Sequence, residues 1–101
     1  MATWIIALKH RINSPLPARI MGHFTGIFLS FIVIGTISDE AAGELGKSIG
    51  FDQSGNIVIN ISNVGKLVLD NIPEMDRRVI EEAIKKIDET TEIIITRKKN
   101  S

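Results

Sequence analysis

Thr3-Trp4-Ile5-Ile6-Ala7-Leu8 is a short, mostly apolar run that stops at Lys9-His10-Arg11. A continuous run of this length suits a strand buried on both faces. Asn13-Ser14-Pro15 is turn chemistry, and Pro17 sits near the first turn of a helix, where proline is tolerated. The apolar pattern then predicts a helix from about Leu16 to Val33, with Gly35 as its stop. A shorter helix is expected over Asp39 to Ser48 with Ser38 as its cap, although Gly43 and Gly46 lower its propensity. Asp52-Gln53-Ser54-Gly55-Asn56 reads as a turn, and Ile57, Ile59 and Ile61 then alternate as in a strand. Asn63-Val64-Gly65 turns the chain into a further expected strand, Lys66 to Asp70.

The segment Pro73 to Glu89 has the clearest pattern. Met75, Val79, Ile80, Ala83, Ile84 and Ile87 form one apolar stripe at helical spacing. Glu74 and Asp76 lie in the first turn, where the helix dipole favours acids. Glu81 with Lys85 and Glu82 with Lys86 are ordered pairs four apart on the outer side. Thr90-Thr91 closes the helix, and Glu92 to Thr96 is a last strand of β-branched residues. The elements sum to an α/β class: a single small domain over residues 1–101, with an about four-stranded mixed sheet covered by two main helices. Apolar strands need cover on both faces, and the two helices are expected to provide it.

The run Ile20 to Ile37 raises a second possibility. It is eighteen residues long and carries no charge beyond His23, close to the roughly 20 apolar residues of a membrane span. Gly22 and Gly26, extended by Ser30, have the spacing that lets helices approach closely in membranes. Three features favour a core helix instead. The other elements need a partner to bury their apolar faces. Arg19, His23, Gly26 and Ser30 make a thin polar and small stripe. No Trp or Tyr flanks the run, and Asp39-Glu40 follow it without a basic cluster. A membrane location is therefore not the expectation, and a single-span protein with its span at about 20–37 is the alternative. No signal peptide is evident, since a strand and a turn precede the run.

A chain of 101 residues has room for one core without staples. Twelve basic residues balance twelve acidic ones, which argues against broad electrostatic capture of nucleic acid. The basic cluster Arg97-Lys98-Lys99 reads as a solvated end of the last strand. Tyr is absent and Trp occurs once, so stacking platforms for single strands are poorly supplied. With no cysteine there is no disulfide, thiol nucleophile or Cys-based zinc site. A reducing, cytoplasmic location is compatible with that composition.

Candidate chemistry is sparse. Lys9, His10, Arg11 and Asn13 follow the first strand, and the ends of strands often line a ligand crevice. They are the candidate ligand-binding cluster, for a small anionic ligand. The competing reading is a solvated strand end. His23 is the candidate catalytic residue, a general base, because histidine titrates near neutral pH. The competing reading is a helix histidine satisfied by its neighbours. His10 and His23 lack a placed third ligand, so no metal is called for. "GELGKSIG" holds Gly46-Lys47-Ser48, but Ala41 stands where a phosphate loop needs its first glycine. Ser14, Ser30 and Ser38 lack a nucleophile-elbow context. No cofactor is implied.

The element order, with "PLPARIMGHFTGIFLSFIVIG" after the first strand, resembles the type II peptidyl-tRNA hydrolase fold and its uncharacterised relatives. Leu16-Pro17 and Gly22-His23-Phe24 stand at similar places, with Arg19 where those relatives show Asn. "GFDQSGN" resembles their Asp-x-x-Gly-Asn turn, and a strand, an amphipathic helix and a closing strand follow. The resemblance implies a shared fold rather than a shared reaction. The loop "RINSPLPA" has no Lys, the Asp-Ala-Gly-x-Thr segment is missing, and only His23 answers to a working residue.

The expected function is a binding or assembly module without the hydrolase motif set. A small hydrolase with a rearranged site near His10 and His23 is the alternative enzyme reading. Apolar residues make up 44% of the chain and its mean hydropathy is positive. That is more than a short monomer readily buries, so a homodimer is expected.

Overall fold

The computed structural model describes residues 3–13 and 27–98. Strand β1, Thr3–Asn13, runs through the middle of the sheet. Strand β2, Ile27–Ser38, pairs antiparallel with one side of it, and helix α1, Asp39–Ile49, follows directly. The chain continues through β3, Ile57–Ile59, the short helix α2, Ile61–Val64, and helix α3, Glu74–Lys85. Strand β4, Thr91–Lys98, then inserts between β1 and β3, giving the order β2-β1-β4-β3. The α/β class and the four strands agree with the sequence reading. All three pairings are antiparallel, where a mixed sheet was expected.

Strand periodicity builds the core. Trp4, Ile6 and Leu8 of β1 are buried, and so are Ile93 and Ile95 of β4 and Ile57 and Ile59 of β3. These side chains share one face of the sheet. Helix α1 covers part of it with Ala41, Ala42 and Leu45, and α3 covers part with Ile80 and Ala83. Gly35 of β2 lets α3 come close, since a Cβ there would stand 3.2 Å from Val79 Cγ1. Both helices therefore lie on one side, and among the described residues no helix covers the other face. The expectation of cover on both faces is corrected accordingly.

That open face has its own order. Val33, Ala7, Ile94 and Val58 stand side by side across all four strands. The next row toward the core end of β1 is Thr36, Ile5 and Thr96, and the row on the other side is Phe31, Lys9 and Glu92. The result is an apolar band with polar and charged residues at its borders.

Two expected elements are corrected, and with them the alternative span. The helix predicted over Leu16 to Val33 is a strand from Ile27 onward, and Gly35 is a strand residue rather than a helix stop. A continuous apolar run cannot be told from a buried helix by periodicity alone. The β-branched residues Ile32, Val33, Ile34, Thr36 and Ile37 suit the strand. A helical membrane span over Ile20–Ile37 does not fit this strand, and no helix among the described residues is long and apolar enough to cross a membrane. The segment Lys66 to Asp70 is not a strand. Leu67 and Leu69 turn inward against the core, as alternation requires, but without a ladder partner. Within α3, Met75 is 83% exposed although it shares the apolar spacing, because it lies in the first turn, away from the sheet.

Local chemistry closes the ends as read. Ser38 caps α1, its side chain accepting from Ala41 N. Asp52 Oδ1 accepts from the backbone N–H groups of Ser54 and Asn56, and Gly55 supplies the positive φ of 81° that this turn needs. The Glu82–Lys86 pair forms at 3.7 Å on the exposed side of α3. Its contribution to stability is small.

Candidate functional site

Helix α3 ends at Lys85, and the chain must reverse to enter β4 at Thr91. Asp88 makes that turn. Its Oδ1 accepts from Thr90 N at 2.8 Å, from Thr90 Oγ1 at 2.7 Å and from Thr91 Oγ1 at 2.7 Å. The backbone adds a bond from Thr91 N to Asp88 O at 3.0 Å. An Asp followed two residues later by Thr favours such a side-chain-to-backbone turn.

Thr91 is 2% exposed and stands opposite His10 in the β1–β4 ladder. Its Oγ1 lies 2.8 Å from His10 Nδ1. Three side chains are thus joined in one chain, His10–Thr91–Asp88, across 81 positions of sequence at its His10–Thr91 step.

The proton count sets the direction of these bonds. A threonine hydroxyl has one hydrogen. The hydroxyls of Thr90 and Thr91 and the Thr90 N–H hold the Asp88 carboxyl below the usual carboxylate range, against the opposing desolvation. Asp88 is therefore a carboxylate at neutral pH and can only accept. Thr91 donates to it, so His10 Nδ1 donates to Thr91. The neutral ring then carries its proton on Nδ1 and its lone pair on Nε2. This is the arrangement of an oriented base: a fixed ring and an assigned tautomer, with no hydrogen bond to Nε2 among the described residues.

Beside this chain lies an open groove of about 310 Å³, lined in part by Asn60, Ser62, Asp88, Glu89 and Glu92. A smaller hollow of about 50 Å³ lies on the neighbouring side, between Lys9, Arg11, Glu89, Thr90 and Glu92. The expected ligand cluster is not gathered in either: Lys9 and Arg11 line the smaller hollow, and His10 and Asn13 line neither. Strand alternation sends His10 to the helix-bearing face and Lys9 and Arg11 to the other. Glu89 and Glu92 stand with the two cations and offset their charge. Asn13 is the last residue of β1, opposite Ile27. His23 lies outside the described residues. Among the described residues, no group of three or more His, Cys, Asp or Glu side chains is arranged to hold a metal ion.

Sequence reading named His10 but not Thr91 or Asp88. The Asp88-Glu89-Thr90-Thr91 run announces a turn, yet nothing local says that its second threonine faces a histidine of the first strand. Comparison with family models, with curated proteins and with solved structures finds no match to this chain.

Proposed function

We propose that this chain is a homodimeric binding or assembly module rather than a hydrolase. The observation that carries the reading is apolar surface left without cover among the described residues, on one face of the sheet and along its edge strand β2, where Phe31, Ile32 and Val33 are exposed. Helices α1 and α3 share one face of the sheet, and the other face presents the row Val33, Ala7, Ile94 and Val58. An apolar centre with a polar border is how protein interfaces are composed. The balanced net charge argues against nucleic acid as the partner. A cytoplasmic setting is part of the proposal, and the cysteine-free sequence is compatible with it. A likeness to the peptidyl-tRNA hydrolase relatives is part of the proposal through the Asp52–Asn56 turn and the helix-then-strand ending, and the reading does not depend on it. The hollow between Lys9 and Arg11 is where a small anion is proposed to sit. Light scattering on a gel-filtration peak tests the main claim. A dimer is expected, and a strict monomer at tens of micromolar removes the reading.

The His10–Thr91–Asp88 chain favours a second reading, a small hydrolase whose base is His10. Such chemistry needs a nucleophile or a water at His10 Nε2. Hydrolysis of an activated ester by the purified chain, lost in His10→Gln, supports this reading. No turnover above the buffer rate removes it.

A further inference from the structure

The centre of the open face is not the most exposed apolar surface of the sheet. Phe31 is 59% exposed, Ile32 48% and Val33 65%, three neighbours in β2. Consecutive residues of a strand point to opposite faces. Phe31 and Val33 lie on the open face with Lys9 and Ala7, while Ile32 stands opposite buried Leu8 on the helix-bearing face. Exposure thus follows the strand and not one face. In the middle of the open face, Ile5, Ala7, Ile94 and Val58 are only partly exposed. Within the sheet, among the described residues, the exposed apolar side chains are concentrated on the edge strand β2.

The charge pattern of that edge is unusual. Soluble proteins commonly place Lys, Pro or a bulge on an edge strand to block pairing with another chain. Here Ile27–Ser38 has no charged residue and no proline. The charges lie on the inner strands instead, at Lys9 and Arg11 of β1 and at Glu92, Arg97 and Lys98 of β4. The bulge at Ile34, where the β1–β2 register shifts, is beside the exposed triplet rather than within it. At the other edge, β3 has three residues, too short a template for a stable ladder.

We infer that β2 pairs antiparallel with β2 of a second copy, about a two-fold axis at Ile32, so that two four-stranded sheets become one of eight strands. This rests on the assembly reading above and assigns its surface and partner. A two-fold normal to the sheet keeps each face on its own side. Ile32 then meets the second copy's Ile32, and Phe31 meets the second copy's Val33, twice. An aromatic opposite a β-branched residue is a favourable cross-strand pair. With no charge on either strand, the antiparallel arrangement brings no like charges together, whereas a charged or polar peptide would find no complement there. One strand edge is a small contact, below the roughly 800 Å² per partner of a standard interface. The dimer therefore dissociates in the micromolar range, and its mass depends on concentration.

Two substitutions separate the edge from the open face. Ile32→Lys puts charge at the proposed axis but leaves the open face untouched. Ile94→Lys puts charge at the centre of the open face on an inner strand. Light scattering is measured on each, alongside circular dichroism to confirm folding. The expected result is twice the 11.1 kDa chain mass for wild type and Ile94→Lys, and the single chain mass for Ile32→Lys. A monomeric Ile94→Lys with a dimeric Ile32→Lys overturns the edge assignment and leaves the assembly reading standing on the open face. A monomeric wild type removes both. A second variant covers the case in which Ile32→Lys fails to fold. The chain has no cysteine, so Ile32→Cys can form a disulfide only with another copy. Cross-strand neighbours lie close to disulfide distance. Rapid oxidation to a covalent dimer is expected for Ile32→Cys and not for Ile94→Cys, and the reverse order overturns the inference.

Discussion

The hydroxyl of Ser38 donates to Asp76 Oδ2 at 2.7 Å, while Ser38 N donates to Asp76 Oδ1 at 3.2 Å. One carboxylate of α3 thus grips the residue at which β2 becomes α1. The same hydroxyl oxygen accepts from Ala41 N and caps α1. A single serine therefore ties two helices to the end of the edge strand. Replacing it removes a cap and a bond to a charged group together. Ser38→Ala is expected to cost about 1–3 kcal/mol in urea unfolding. Asp76→Asn should cost less, because the amide oxygen still accepts and the cap survives. Equal losses in the two variants would show that the cap contributes nothing.

The turn at Asp88 ties stability to pH with a definite sign. Its carboxyl titrates below the usual range because the Thr90 and Thr91 hydroxyls and the Thr90 N–H bond the charged form. A depressed acid stabilises the fold above its unfolded value and loses that contribution as pH falls through the folded one. The loss is expected below about pH 4, the range of an unperturbed aspartate. Asp88→Asn should flatten the fall in melting temperature there, relative to wild type, and have a nearly constant offset at pH 6 to 8. An unchanged acid profile in the variant would exclude the role given to Asp88.

Thr91 links this carboxylate to His10, and its removal should be felt in both partners. Thr91→Val keeps the shape and removes the hydroxyl. With Thr91 buried and His10 Nδ1 left without its acceptor, a destabilisation of about 1–2 kcal/mol is expected. Nitrogen-15 spectra of the imidazole should show the Nδ1-protonated tautomer in wild type and the commoner Nε2-protonated form in Thr91→Val. A wild-type ring protonated on Nε2 would reverse the hydrogen-bond direction assigned here.

Gly46 lies under the ring of Phe51. A Cβ at Gly46 would overlap Phe51 Cζ, and the Phe51 ring is 6.2 Å from that of Trp4. Trp4 is the one tryptophan of the chain, which makes it a reporter. Gly46→Ala should push Phe51 aside and shift Trp4 emission. Its effect on stability combines a gain in helix propensity of up to about 1 kcal/mol with the loss of the ring contact. An emission spectrum identical to that of wild type would mean that Phe51 does not occupy this place.

Local chemistry in the sequence determined a good part of this protein. The first strand, the amphipathic helix α3, the Ser38 cap and the Asp52–Asn56 turn were all legible, because each is written in spacing or in a side chain that bonds its own backbone. His10 was read as lying beyond the end of the first strand, whereas β1 runs on to Asn13 and sets His10 inside the ladder opposite Thr91. The tertiary structure decided the rest. Ile27–Ser38 is uncharged and mostly apolar, with no periodicity that separates helix from strand, so pairing with β1 settled its form. Leu67 and Leu69 alternate like a strand, but the ladder partner that makes a strand is not beside them. The partners of His10 come from the opposite end of the chain, and β4 carries them to it by inserting between β1 and β3. A periodicity records which side of an element is apolar. Which neighbour covers that side, and which edge is left bare, depends on the order of strands, and that order is a property of the whole fold.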